Sequence, residues 1–358
     1  MLTEEGIINQ CTIVLTRECN LRCNFCYVKS AGYSEDDKIK YEDLKNIVDF
    51  CSEAKVKYIF FTGGEPITYP YLPEILRYIK TKSHPMTTAI ATNGVLLRDL
   101  ELCKELIDSG IEYIDVSMKG KNRQEWCEMT EYDGSEAQLQ AIRNLASLPI
   151  DFTCSMVITL KNVQSLCESV KIAYDNGAKQ FSFTFIIDND DAKDKDLDYL
   201  RKNDPVKLIS DFISQIDKLN TITDDWWIEY SFPMCLYTSE QLNLLKGRLA
   251  TPCQVHLKNA ITFSTKMELL PCDMYIYQQL GKFGKDFSSY PEFLSLIKTT
   301  SYINIMNKIR KLPANECKSC EHFDVCYGGC PVLWKNYSFD ALKEFKEKRE
   351  IWYKNQEL

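Results

Sequence analysis

From residue 11 to about residue 220 the chain alternates short β-type runs with amphipathic stretches of helical length, and this alternation limits its possible folds more than any other feature. Strands are predicted at 12–16, 58–62, 88–91, 113–117, 152–158 and 181–186. Helices are predicted at 41–53, 72–81, 99–109, 135–147, 163–176 and 205–219, with Gly177 as a C-cap for the fifth. Repeated βα units place strands in parallel under a layer of helices, and right-handed crossovers curl such a sheet toward a barrel. The expected fold is α/β, a partial (β/α)6 TIM-like barrel. After residue 219 the alternation stops. Two adjacent tryptophans, a hairpin over 259–271, cysteine-bearing turns and a charged helical stretch at 339–358 follow. A chain of 358 residues also exceeds the size at which single cores stop growing. The expected domains are 1–223 and 224–358.

Sixteen cysteines are the compositional anomaly. The start MLTEEGIINQ lacks the basic and apolar segments of an export signal, and no run of about 18 apolar residues occurs, so the chain reads as cytoplasmic with no membrane span. Thiols stay reduced in a cytosol, which makes metal binding the default use of many cysteines. The net charge of −8 argues against nucleic acid and leaves small molecules or peptides as partners. Cys51, Cys103, Cys127, Cys154 and Cys167 stand singly in apolar or helical contexts and read as small core residues. His84, His256 and His322 read as structural or surface residues, and 188–196 as a solvated acidic loop.

The remaining signal is clustered. Cys19, Cys23 and Cys26 follow directly on the first predicted strand, where a βα barrel places its chemistry. Three thiolates on one loop hold three irons of a cubane and leave the fourth open to a chelating molecule such as the amino and carboxylate groups of S-adenosylmethionine (SAM). A zinc site needs a fourth protein ligand, and none follows nearby. The next three strands end in Gly63-Gly64-Glu65, Thr92-Asn93-Gly94 and Ser117-Met118-Lys119-Gly120. Glycines permit close backbone approach, and the Glu65 carboxylate suits a ligand ammonium.

These motifs, C-N-L-R-C-N-F-C-Y with G-G-E-P, T-N-G and V-S-M-K-G, resemble the radical SAM superfamily over roughly residues 11 to 220. The resemblance implies that Cys19, Cys23 and Cys26 bind a [4Fe–4S] cluster and that Phe25 lies against the adenine. It places Gly63, Gly64 and Glu65 at the methionine amino group, with Asn93 and Ser117 near the rest of SAM. The implied chemistry is reductive cleavage of SAM to a 5′-deoxyadenosyl radical, with flavodoxin or ferredoxin as the electron donor.

Cys317, Cys320, Cys326 and Cys330, with Cys253 and Cys272 upstream, exceed the four ligands of a structural zinc. Their spacing resembles the SPASM extension, which makes 224–358 a small C-terminal iron–sulfur domain holding one or two auxiliary [4Fe–4S] clusters. Carried over, Cys253, Cys272 and Cys330 serve one cluster, and Cys317, Cys320 and Cys326 the other. Met267 stands where the family has glycine in the hairpin, and the seventh family cysteine is missing after Cys330. Phe339 falls near its place, so the adjacent Asp340 is the expected substitute ligand. Cys235 is either the fourth ligand of the first auxiliary cluster or a buried thiol. Asp273, in Pro-Cys-Asp-Met-Tyr, is similar to a proton-accepting aspartate of anaerobic sulfatase-maturing enzymes. The expected activity is hydrogen abstraction from a peptide or protein residue, giving oxidation, crosslinking or epimerisation. The alternatives are a dehydrogenase of a sugar or amino alcohol, and an iron–sulfur electron carrier or redox sensor. The Gly63-Gly64-Glu65 turn favours SAM chemistry over an electron carrier, which needs no ammonium site.

Overall fold

Strands form where the β-type runs predict them: β1 (Gln10–Thr16), β2 (Tyr58–Gly63), β3 (Thr87–Thr92), β4 (Tyr113–Met118), β5 (Asp151–Ile158) and β6 (Gln180–Phe185). The computed structural model describes residues 8–187, 196–229, 232–250 and 253–354. In β3 and β4 burial alternates residue by residue, one face lying under the helices and the other lining the barrel interior. The six strands pair in parallel and in sequence order. Two short strands extend the sheet beyond the six expected: β7 (Trp226–Ile228) beside β6, and β8 (Ala260–Phe263) parallel to β1 on its other side. β9 (Glu268–Leu270) and β10 (Gly281–Lys282) continue antiparallel from β8, giving a sheet of ten strands among the described residues. The sheet therefore runs through the residue 223 boundary expected between domains.

The covering helices are α1 (Tyr41–Glu53), α2 (Leu72–Lys80), α3 (Leu100–Ser109), α4 (Arg123–Thr130), α5 (Ser135–Ala146), α6 (Leu166–Asp175), α7 (Asp196–Asn203), α8 (Pro205–Ile213) and α9 (Ile216–Asn220). Three details differ from expectation. The stretch 205–219 breaks into α8 and α9 around Ser214 and Gln215, and 163–176 opens with a 3-10 turn at Val163–Ser165. α4 and α7 were not anticipated. Residues 188–195 of the acidic run lie outside the described residues, while Asp196 begins α7 and accepts a hydrogen bond from the Ser338 amide at 2.8 Å.

Met267, at the position where the family pattern has glycine, adopts the left-handed backbone at φ 63°. That conformation costs a non-glycine residue roughly 1–2 kcal/mol. Behind the hairpin, Phe50 of α1 meets Phe263, Phe283, Phe287 and Phe293 edge-on, at centroid distances of 6.1, 5.7, 5.7 and 5.6 Å. One apolar core thus spans the barrel and the C-terminal segment. Cys51, Cys103, Cys154 and Cys167 are buried as expected, but Cys127 is exposed, because α4 turns Trp126, Met129 and Thr130 inward instead. Among the described residues no helix is long and apolar enough to cross a membrane.

Candidate active site

The loop after β1 is fixed before any cofactor is considered. Leu21 is buried against Val95 and Trp126, with Cys19 and Cys23 packed on the same cluster. The Arg22 amide donates to Thr130 O at 3.0 Å and the Asn24 amide to Met129 O at 2.9 Å, so α4 clamps the cysteine loop. Cys19 is pushed up to about 12, first by burial and then by Glu65, Cys23 and Cys26, against the Leu21 amide that donates to its sulfur at 3.4 Å. Burial also raises Cys23. Crowded, desolvated thiols resist ionising alone, and a cationic iron centre supplies the missing counter-charge. Among the described residues no three His, Cys, Asp or Glu side chains converge on a single ion. A cubane needs no such convergence, because each thiolate takes its own iron.

The Gly63-Gly64-Glu65 turn has a different task from the one its sequence suggests. A Cβ on Gly63, at φ 147°, would lie 2.3 Å from Thr16 O, and one on Gly64 would lie 2.1 Å from Glu18 O. The glycines let the turn press on the backbone leading into the cysteine loop. The Gly64 amide donates to Thr16 O at 2.8 Å and the Glu65 amide to Glu18 O at 2.7 Å. The Glu65 side chain is buried and already engaged: Oε1 accepts from Ile67 N at 3.1 Å and Thr92 Oγ1 at 2.7 Å, and Oε2 from Asn93 N at 2.8 Å. Its carboxylate is therefore a strut between β2 and β3. Gly64→Ala should force the loop off its seat at a cost of about 1–3 kcal/mol. The expected result is a lower unfolding midpoint and under-filling of the first cluster, measured by thermal denaturation and iron content.

Asn93 and Ser117 come together at the same mouth. Asn93 Nδ2 donates to Asn20 Oδ1 at 2.7 Å, linking the third strand end to the cysteine loop. Gln138, which the sequence reading missed, donates to Asn93 O at 2.7 Å and Ser117 O at 3.0 Å. Lys119 was quoted only as part of a motif. Its buried ammonium donates to Ser117 Oγ at 2.6 Å and lies 5.2 Å from the centroid of the Phe25 ring. Its charge offsets the effect of burial on Cys23. Deeper in the barrel, Asp115 Oδ1 is buried and finds no hydrogen-bond partner among the described residues. Burial pushes Asp115 up to about 6, with Glu229 adding to the effect and Ser155 and Lys119 opposing it.

The sign of the Asp115 effect is definite. A carboxyl that holds its proton more tightly when folded costs nothing below its unfolded pKa near 3.9, and its penalty is complete once the pH exceeds about 6. At ~1.4 kcal/mol per pH unit the penalty is about 3 kcal/mol. Asp115→Asn should therefore be more stable than the native protein at pH 8, by ~1–3 kcal/mol, with the gap narrowing toward pH 5. Denaturant midpoints across that range measure it.

Tyr27, directly after Cys26, reaches across to the C-terminal segment. Its hydroxyl donates to Asp273 Oδ2 at 2.8 Å, and Thr62 Oγ1 lies 3.5 Å away. Burial raises the Asp273 carboxyl, and the Tyr27 hydrogen bond opposes the rise. Beside it, burial raises Cys272, and the neighbouring Asp273, Cys253 and Cys330 raise it further. Cys253, Cys272 and Cys330 thus lie close enough to influence one another. Cys326 and Cys330 part ways through Gly328 and Gly329, both at φ 84°.

The other set differs from expectation. Cys317, Cys320 and Cys326 line a cavity of about 240 Å³ together with Cys235, Glu316 and Phe339. Although Cys235 as a residue is exposed, its sulfur is desolvated at the cavity wall, which pushes it up to about 11, with Cys326 and Cys317 contributing. Cys235 therefore lines the same cavity as Cys317, Cys320 and Cys326. Asp340 does not line the cavity and is exposed in the first turn of the helix Phe339–Lys354. The histidines hold backbone or surface positions: His84 meets Val56 O at 2.9 Å, His256 meets Gly329 O at 3.1 Å, and His322 lies 3.6 Å from Glu321.

The site is thus a partial βα barrel with a three-cysteine loop at its mouth and further cysteine sets beside it. Residues 13–173 match the radical SAM superfamily, whose members use a [4Fe–4S] cluster and SAM. The GTP 3′,8-cyclase of Chlorobaculum tepidum is 30% identical over 138 residues, 38% of this chain and 41% of that protein. The antilisterial bacteriocin subtilosin biosynthesis protein AlbA of Bacillus subtilis is 30% identical over 180 residues, 49% of this chain and 39% of its own length. The chain spans under half the length of these curated relatives. Among solved structures, anSMEcpe with bound AdoMet superposes with a TM-score of 0.69 at 18% identity, covering 94% of this chain and 95% of that one. Streptococcus suis SuiB bound to precursor peptide SuiA gives 0.66 at 17%, covering 93% and 75%. At these identities the likeness is one of fold.

Proposed function

We propose that this radical SAM enzyme oxidises a residue of a peptide or protein, with 1–223 as the SAM-cleaving part and 224–358 as a SPASM-type part holding auxiliary clusters. The observation that carries this reading is the Tyr27 to Asp273 hydrogen bond at 2.8 Å, which ties the residue after Cys26 to the residue after Cys272. With its cluster and SAM bound, the family chemistry supplies a 5′-deoxyadenosyl radical that takes a hydrogen atom from the substrate. In this proposal Cys19, Cys23 and Cys26 hold the first cluster. Phe25, Gly63, Gly64, Asn93 and Ser117 line the SAM cradle, with Glu65 bracing it. Asp273 would accept the substrate proton as general base, positioned by Tyr27, and Cys253, Cys272 and Cys330 would hold a cluster able to supply an acceptor for the second electron. A flavodoxin or ferredoxin would deliver the initiating electron.

Likeness to anSMEcpe, solved with the Kp18Cys peptide, to SuiB, solved with SuiA, and to AlbA supports a peptide substrate. The test is anaerobic incubation of the reconstituted protein with SAM, dithionite and a Kp18Cys-type peptide, in parallel with a sugar, an amino alcohol and GTP. Loss of two hydrogens from the peptide alongside 5′-deoxyadenosine is the expected outcome. Turnover of the sugar, amino alcohol or GTP alone would replace this reading with a small-molecule one.

A further inference from the structure

The second auxiliary site lacks the cysteine that its spacing pattern puts after Cys330, and the fold brings one to it from upstream. The cavity of about 240 Å³ is several times the ~30 Å³ share of one water. Its walls are apolar, Pro233, Phe323 and Phe339 among them, and Cys235, Cys317, Cys320 and Cys326 all face it. Phe339 fills the wall near the place where the family pattern puts its last cysteine. From these observations we infer that Cys235 is the fourth ligand of this second auxiliary cluster, so that the cubane is held by four thiolates and no carboxylate.

The local structure accounts for the placement. Cys235 sits in the 3-10 turn Met234–Leu236, close behind β7, and that turn is packed against the loop between Cys326 and Cys330. A Cβ on Gly329, which stands at φ 84°, would lie 3.0 Å from Pro233 Cβ, so glycine there permits the close approach of the two segments. The Met234 amide donates to Cys326 Sγ at 3.4 Å, the kind of N–H to sulfur bond that tunes a cluster's potential. Lys346 Nζ donates to Cys235 O at 2.6 Å, anchoring the turn to the helix Phe339–Lys354. Four soft thiolates satisfy the four irons of a cubane, which then has no need of a harder oxygen donor.

The assignment divides the cysteines cleanly. Cys11, Cys51, Cys103, Cys154 and Cys167 are buried in the barrel and Cys127 is exposed on α4, so no cysteine is left to complete the set of Cys253, Cys272 and Cys330.

The test uses the reconstituted full chain with Cys235→Ala, Cys235→Ser and Asp340→Ala, read by iron content and by electron paramagnetic resonance of the reduced protein. Cys235→Ala should lose up to one cubane's iron, or convert that site to a three-iron signal, while Asp340→Ala matches the native protein. Cys235→Ser, which keeps a hydroxyl at the position and covers the case in which alanine does not fold, should retain iron but shift the auxiliary signal. A native spectrum and iron count in both Cys235 variants would overturn the assignment, as would iron loss confined to Asp340→Ala. A native protein with only the first cluster would overturn both this inference and the auxiliary-cluster proposal. A non-peptide substrate would leave this inference intact.

Discussion

Alanine at Cys19, Cys23 and Cys26 together removes about four irons per chain and abolishes 5′-deoxyadenosine formation from SAM and dithionite. The loop that carries these thiols is held by Leu21 against Val95 and Trp126 and by the Thr130 and Met129 carbonyls, none of which depends on the sulfurs. The variant should therefore fold, and its defect should be chemical. No other cysteine substitutes, since the C-terminal sets gather around Cys272 and around the Cys235 cavity. Iron analysis and chromatography of the anaerobic reaction measure both effects. An undiminished yield of 5′-deoxyadenosine in the triple variant would remove the first cluster from this loop.

Asp273→Asn should lower substrate oxidation by roughly 10²–10⁴-fold, the usual contribution of a general base, while SAM cleavage continues. Asparagine has the same shape and keeps an oxygen to accept from the Tyr27 hydroxyl, so the link across the site survives. What is lost is the capacity to take the proton that leaves with the second electron. The expected signature is uncoupling, with 5′-deoxyadenosine accumulating without a matching amount of oxidised product. Tyr27→Phe should show the same uncoupling more weakly, since it loosens Asp273 without removing the base. Equal losses of 5′-deoxyadenosine and product in Asp273→Asn would instead assign Asp273 to SAM binding or cluster assembly.

The first six strands were legible because β-type runs at regular spacing leave few alternatives, and each of β1 to β6 begins and ends within about two residues of its expected place. α4 was not, being eight residues long and largely polar. Its clamp on the cysteine loop is accordingly invisible in the pattern. The Gly-Gly-Glu turn shows the opposite problem: its conspicuous residues suggest a ligand, yet the carboxylate and both glycines serve contacts within the protein. Residues that meet only through the fold were the hardest to find. Tyr27 and Asp273 are 246 positions apart, and Cys235 reaches Cys326 across 91 positions (326 less 235), so spacing motifs carry no trace of either meeting. The sequence leaves Cys235 open between a ligand of the first auxiliary cluster and a buried thiol, and only the fold brings it to the cavity of Cys317, Cys320 and Cys326.

The pairing of β8 with β1 bears on how such a chain can be dissected or recombined. Gln10 to Ile13 hydrogen-bonds outward to Ala260 to Phe263, so the strand leading into the cysteine loop is interior to the sheet only while the C-terminal segment is present. A fragment ending near residue 223 would bare that backbone as an open edge and strip the phenylalanines that surround Phe50, producing a template for self-association in place of a minimal SAM-binding module. The two halves are therefore poor interchangeable parts, and exchanging the C-terminal segment between relatives requires carrying over a strand that fits β1 as well as the cysteines.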